Sequence, residues 1–224
     1  MSDFGYSTIV VSGADAEEFL QGQLTADLQQ LDASEPQRSA WCNPKGRVIC
    51  VMILARQADG YGLTLPTELA EHVVQRLTVF RFRAKVEFNI QAVDMGSAQD
   101  LDDLRLDQLR SGMPEICGAQ SEQFTPHMLN LDLLGAVSLE KGCYTGQEII
   151  ARTHFRGATK RRLHRFESAE PVSPGDKVSE DGRNVGEVVN AIGRDLLAVV
   201  PVDKADASLT VGNIALTHIP LDYL

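Results

Sequence analysis

Lys141-Gly142-Cys143-Tyr144-Thr145-Gly146-Gln147-Glu148 is the stretch on which the reading of the whole chain turns. Two glycines, Gly142 and Gly146, bracket a cysteine, and a helical pattern follows from Gln147 to about Thr153. Glycine lets a backbone turn tightly and approach a neighbour closely. The spacing predicts a turn that presents Cys143 just ahead of a helix N-terminus, with Lys141 two residues away. Both features favour thiolate over thiol. Cys143 is therefore a candidate nucleophile or soft metal ligand, with Lys141 beside it. The bland alternative is a cysteine packed in a glycine loop, as most free cysteines are packed. Glu148 precedes Arg152 by four residues and can pair with it along the helix, while Ile149 and Ile150 anchor the helix to a core. Cys42 and Cys50 fall in strand-like runs and Cys117 is read as having no charged neighbour, so these three are expected to be structural.

Upstream of this stretch the chain reads as mixed α and β. Residues 7–11 form an apolar strand that Gly13 breaks. Ala16, Phe19 and Leu20 begin a helical face, which Leu24, Leu28 and Leu31 continue. Residues 39–42 and 47–55 read as strands joined by the turn Asn43-Pro44-Lys45-Gly46. From Val48 to Ala55 the second is apolar throughout, as befits a strand covered on both faces. Residues 61–65 complete a meander. Thr67 is a plausible N-cap for a helix through Phe80, and residues 84–93 return as a strand. Strand, helix, strands, helix, strand is a ferredoxin-like order. A short acidic helix follows, marked by Leu101, Leu104, Leu106 and Leu109 and closed by Gly112 and Pro114. Residues 126–134 read as a further short helix.

Downstream of Lys160 the texture changes. Short strand-like runs alternate with turns such as Pro174-Gly175-Asp176, Asp181-Gly182 and Val211-Gly212-Asn213, which predicts a small antiparallel barrel. The seam is placed at residues 157–160, giving units 1–157 and 158–224.

Composition bounds the function. The chain has 224 residues, is 43% apolar and 23% charged, and carries a formal net charge of −10. Such a charge argues against wholesale coating of nucleic acid. Residues 141–165 nevertheless hold seven bases and one acid, a local basic run able to attract a specific anion. No apolar run approaches the ~20 residues of a membrane span. The opening MSDFGYSTIV lacks a basic n-region and an h-region, and four scattered cysteines make no disulfide scaffold or zinc spacing. A cytoplasmic protein with no membrane contact and no metal site is the expectation. His127 and His154 are read as local hydrogen-bonders, with His154 the better ligand candidate.

The stretch 141–148 resembles the signature of the YgfZ family, folate-binding proteins related to the T-protein, the aminomethyltransferase of the glycine cleavage system. Further blocks match in order: Gly13-Ala14-Asp15 with Phe19-Leu20-Gln21-Gly22-Gln23, Pro44-Lys45-Gly46-Arg47, Phe124-Thr125-Pro126, Ala151-Arg152-Thr153 with Phe155-Arg156-Gly157, and Gly186-Glu187-Val188. The resemblance implies an α+β fold: a ferredoxin-like N-terminal unit of the T-protein type plus a C-terminal antiparallel β-barrel. It implies an accessory factor, rather than a classical enzyme, that binds tetrahydrofolate. Such a factor supports assembly or repair of iron–sulfur proteins, and through them tRNA modification, with iron–sulfur client or assembly proteins as partners. Cys143 and Lys141 take the catalytic positions; Tyr6, Trp41, Lys45, Tyr144, Gln147, Glu148 and Arg152 are the candidate cofactor-binding residues. Two departures stand out. Relatives carry a substantial α/β portion where here residues 94–100 alone join strand to helix. Tryptophans tied to folate in some relatives appear as Tyr6, which can stack on a pterin, and Leu104, which cannot.

Two other classes of function remain open. A folate-dependent one-carbon (aminomethyl) transferase needs an acid near the start of the second helix, where this chain has Glu68 and Glu71 but no aspartate match. An RNA-binding module could use Arg152 to Arg165 and the barrel, but aromatic interleaving is limited to Phe155 and Phe166, so direct contact with nucleic acid is not expected.

Overall fold

A computed structural model describes residues 5–32, 34–157 and 159–224. The first half holds β1 (Tyr6–Ser12), α1 (Ala16–Gln21), β2 (Gln37–Cys42), β3 (Val48–Gln57), β4 (Gly60–Pro66), α2 (Thr67–Arg81), β5 (Glu87–Ala92) and α3 (Ala98–Arg110). The strands form one antiparallel sheet in the order β2-β3-β4-β1-β5. Removing the edge strand β2 leaves the ferredoxin-like order that the sequence predicts. One face of the sheet packs on α1 and α2 through Ile9, Val11, Leu20, Leu63, Leu65, Val73 and Leu77, all buried.

The second half opens with turns, then α4 (Gln147–Arg156), then β6 (Arg161–Ser168), β7 (Lys177–Glu180), β8 (Arg183–Ile192), β9 (Asp195–Pro201), β10 (Leu209–Val211) and β11 (Ile214–Ile219). These six strands close into an antiparallel barrel through the β7–β10 pair. Closure removes the exposed edges a small sheet otherwise presents. Residue 158, where the expected second unit starts, lies outside the described residues. No helix among the described residues is long and apolar enough to cross a membrane.

A middle core joins the halves. Ala40, Cys42 and Val48 of the sheet meet Tyr144 and Ile150 of the signature region and Leu163, Val189 and Leu197 of the barrel. This second layer explains why β3 is apolar on both faces.

Local expectations fail in four places. The first helix stops at Gln21, where the Gly22 N–H closes back on Glu18; Leu24 instead bridges to Trp41. Thr67 is the first helical residue and not the cap, since Pro66 holds that position and the Thr67 hydroxyl lies 3.0 Å from Ser7 Oγ. The last strand of the sheet begins at Glu87 and not 84, because Asp15 Oδ2 accepts the Lys85 N–H at 2.7 Å and holds that segment in a turn. Residues 126–134 form successive turns and no helix, since Asn130 at φ 56° and Gly135 at φ 70° sit in the left-handed region. The Asn130 side chain pins these turns to the barrel by donating to Leu163 O at 2.8 Å.

Candidate functional site

The signature loop is built by its buried residues and presents its exposed ones. Lys141 is only 7% exposed. Its ammonium donates to the carbonyls of Leu24 at 2.9 Å and Ala26 at 2.7 Å and lies 5.1 Å from the centre of the Tyr144 ring. Burial pushes the lysine pKa down to about 8; the carbonyls and the aromatic face work the other way, favouring the ammonium. Tyr144 is also buried, and its hydroxyl is 3.3 Å from Ser138 O. Thr145 N–H reaches Gly22 O at 3.2 Å. Gly146, at φ 84°, occupies the cap position of α4, where an added Cβ would stand 2.6 Å from Asn43 O. The loop is thus fastened to the turn after α1 and to the β2–β3 turn. Between these anchors Gly142 and Cys143 are exposed.

The four cysteines differ sharply in setting. Cys42 and Cys50 are fully buried, and burial pushes both thiols far up, Cys50 to about 12. Cys117 is half-buried and donates its S–H to Gln120 Oε1 at 3.0 Å. Contrary to expectation it has charged neighbours, Glu68 and Glu115, which add to the effect of burial in raising its pKa. Cys143 is the exposed one.

Several candidate residues take other roles. Trp41 is 0% exposed and packs edge-on against Phe80, so it cannot stack on a ligand. Tyr144 is likewise inside the middle core, and the Lys141 ammonium faces backbone carbonyls. Lys45 is exposed in the β2–β3 turn, whose shape Asn43 Oδ1 fixes by accepting the N–H groups of Lys45 and Arg47 at 2.9 and 3.0 Å. Gln147 Nε2 is 3.4 Å from Lys141 O. Glu148 pairs with Arg152 on the exposed face of α4 at 2.5 Å, as the spacing predicts. The basic run is partly spent within the protein: Arg162 pairs with Asp132 at 2.9 Å and Arg165 with Asp195 at 2.7 Å.

Tyr6 belongs to a different place. It lines a cavity of about 1010 Å³ between β1, β5, α2 and α3, together with Glu68, Glu71, Asp94, Asp102 and Arg105. Four carboxylates against one guanidinium make this hollow acidic. The Tyr6 hydroxyl donates to Glu115, and the Arg105 guanidinium lies 5.5 Å from the ring centre and pairs with Glu115 at 3.2 Å. Burial, reinforced by the Glu115 charge, raises the phenol pKa and keeps it neutral. A second cavity of about 710 Å³ shares Glu68, Asp102 and Arg105 with the first and reaches the barrel at Asn190. None of the signature residues, Trp41 or Lys45 lines either cavity. Sequence reasoning missed the Arg105–Glu115 partnership, because nine residues of helix end and turn separate the two without a period to betray them. Glu68 is braced by the Gly118 N–H at 2.7 Å; Glu68 and Glu71 project from α2 into the hollow.

His127 also departs from its expected role. It is 2% exposed, and neither ring nitrogen has a hydrogen-bond partner among the described residues. Burial pushes its pKa down.

Comparison with known proteins agrees with this architecture. Residues 160–223 match the family described as CAF17, C-terminal beta-barrel domain. A tRNA-modifying protein YgfZ from Shigella sonnei is 30% identical over 263 residues, covering 86% of this chain and 80% of that protein. The protein of the same name from Enterobacter sp. (strain 638) is 29% identical over 281 residues, covering 92% of this chain and 86% of the relative. Both alignments are longer than the 224 residues of this chain, so the relatives carry sequence that is absent here. The crystal structure of glycine cleavage system aminomethyltransferase T from Bartonella henselae superposes with a TM-score of 0.75 at 16% identity, covering 98% of this chain and 84% of that one, which shows a shared fold. With a T-protein-type fold, a barrel of the CAF17 kind and this level of identity along most of its length, the chain belongs to the YgfZ family.

Proposed function

We propose that this chain is a tRNA-modification factor of the YgfZ type that works through the Cys143 thiol. The observation that carries this reading is the contrast within the signature. Lys141, Tyr144 and Gly146 are committed to holding the loop, and Cys143 is left exposed between them. A thiol mounted in this way is open to a partner protein or a small molecule. By the family resemblance, the partners are iron–sulfur client or assembly proteins, and the effect on tRNA is indirect. One cysteine does not complete the usual four-cysteine ligand set of a cluster, so any cluster handled here would be shared with the partner.

The acidic hollow beside Tyr6 is the place we assign to a reduced folate. Its volume matches that of small-molecule sites, and its carboxylates suit the amino and ring N–H groups of a pterin. The same carboxylates repel the glutamate tail, which would therefore lead out of the hollow. Glu71 would accept hydrogen bonds from the pterin, Tyr6 would offer its ring edge, and Arg105 would hold Tyr6 in place. Tetrahydrofolate, when bound, would supply one-carbon chemistry at its N5 ring nitrogen and N10 bridging nitrogen. An aminomethyl transferase is the second reading, and the presence of Glu68 and Glu71 in this hollow is what favours it.

Two measurements test the proposal. In cells lacking their own YgfZ-type protein, the intact chain restores tRNA modification. Cys143→Ala lowers that restoration at least tenfold while its melting temperature stays unchanged. Equal restoration by a folded Cys143→Ala protein rejects the thiol. Tetrahydrofolate binds saturably, and Tyr6→Ala weakens it by roughly tenfold, about 1.4 kcal/mol. Unaltered affinity moves the folate site elsewhere. If Glu71→Gln abolishes turnover of methylenetetrahydrofolate, the transferase reading takes over.

A further inference from the structure

One cluster of ligating side chains has no part in the signature or the cavities. His127 and Asp132 lie in the turns of residues 125–135, and His154 lies in the last turn of α4. One ligand atom from each stands within 4.8 Å of the other two. The cluster draws together segments far apart in sequence, and its innermost member is the buried imidazole of His127, whose two ring nitrogens have no hydrogen-bond partner among the described residues. A buried polar group left in that state costs about 1–3 kcal/mol. Asp132 does not relieve it, since His127 Nε2 and Asp132 Oδ2 are 4.0 Å apart, beyond hydrogen-bond reach.

We propose that His127, Asp132 and His154 bind a divalent cation of the zinc class, with solvent in the fourth position. Two imidazole nitrogens and one carboxylate oxygen are a donor set that such ions take when one coordination position stays open. Bonds of about 2 Å in a tetrahedral arrangement place ligand atoms about 3.3 Å apart, so the present spacing must contract by an ångström or so. The exposed His154 can make that adjustment through its own side-chain torsions, without moving the core. Arg162 acts in both directions. It grips both oxygens of Asp132, at 3.0 and 2.9 Å, and so aims the carboxylate as outer partners of metal ligands do. Its positive charge also opposes a cation, which limits affinity. Binding would tie the far end of α4 to the 125–135 turns, and α4 is the helix that begins at the signature glycine Gly146.

The test uses the full chain carrying Cys143→Ser, so that the exposed thiol contributes no ligand. After treatment with a chelator it is titrated with cobalt(II), followed by visible absorption, and then with zinc in competition. One equivalent of cobalt giving the intense spectrum of a four-coordinate ion is expected. His154→Ala, a change at an exposed side chain, should weaken binding at least tenfold and remove the rise in melting temperature that zinc produces. Equal affinity in His154→Ala, or no binding at millimolar metal, overturns the proposal.

Discussion

Replacing Gly146 by alanine lowers the melting temperature by roughly 6–12 °C, corresponding to about 3 kcal/mol in a chain of this size. Two independent effects add. Gly146 sits at φ 84°, where an L-residue is strained by about 1–2 kcal/mol. The new Cβ would also meet Asn43 O at 2.6 Å and Gly46 Cα at 3.2 Å. Both are backbone atoms of the β2–β3 turn, so relief requires the turn or the start of α4 to move, at about 1–3 kcal/mol. That movement displaces the Cys143 loop as well, so the variant should lose tRNA modification beyond what its stability explains. Gly142 is the matched control. An added Cβ there meets nothing within 4 Å, and Gly142→Ala should melt within about 1 °C of the parent. Thermal denaturation followed by circular dichroism checks both. Equal melting of the two variants would contradict the close approach at Gly146.

Lys141→Met costs about 2 kcal/mol at neutral pH, and its cost grows as the pH rises. Methionine fills the volume of the stem but leaves the carbonyls of Leu24 and Ala26 without the donor that reaches them. Removing a charge from the interior offsets part of that loss. The pH dependence follows from the direction of the shift. Burial lowers the lysine pKa from 10.5 in the unfolded chain to about 8 in the fold. Between pH 8 and 10.5 the unfolded chain therefore holds a proton that the folded chain has released, so stability rises with pH across that window. The neutral amine still has N–H groups to donate to the two carbonyls. Denaturant unfolding of both proteins at pH 7 and pH 10 should show the gap between them widening by roughly 1–3 kcal/mol. A gap that narrows would mean that the two carbonyls and Tyr144 hold the ammonium more strongly than burial opposes it.

The sheet, its helices and the barrel were legible because periodicity and turn residues are local signals. Asn43-Pro44-Lys45-Gly46 forms the turn that its composition predicts, and β3 is covered on both faces as its unbroken apolar run implies. The ends of elements were less legible. Leu24 and Leu28 kept a helical spacing after the helix had stopped, because both are buried against the sheet by separate turns. Within the signature the structure divides the roles differently from what spacing and resemblance imply. Spacing makes Lys141 a chemical group and the family resemblance makes Tyr144 one, but burial makes both the mounting. Trp41 reads from the sequence as a core or hollow-lining aromatic and stands among the cofactor-binding candidates; it is a core residue wedged against Phe80. The acidic hollow assembles Tyr6, Glu68, Glu71 and Arg105 from three separate elements, and the histidine pair meets across the turns and α4. No window along the chain contains either arrangement.

The signature presents one exposed thiol, while the fold buries Cys42 and Cys50 and half-buries Cys117. Native protein treated briefly with iodoacetamide, digested and analysed by mass spectrometry, measures this contrast directly. Thiolate is the reacting species, and burial raises the pKa values of Cys42, Cys50 and Cys117 as well as blocking access to the first two. Cys143 should therefore be alkylated to completion first, with Cys117 far slower and Cys42 and Cys50 untouched until the protein unfolds. Slow reaction at Cys143, or labelling of Cys117 ahead of it, would contradict the account.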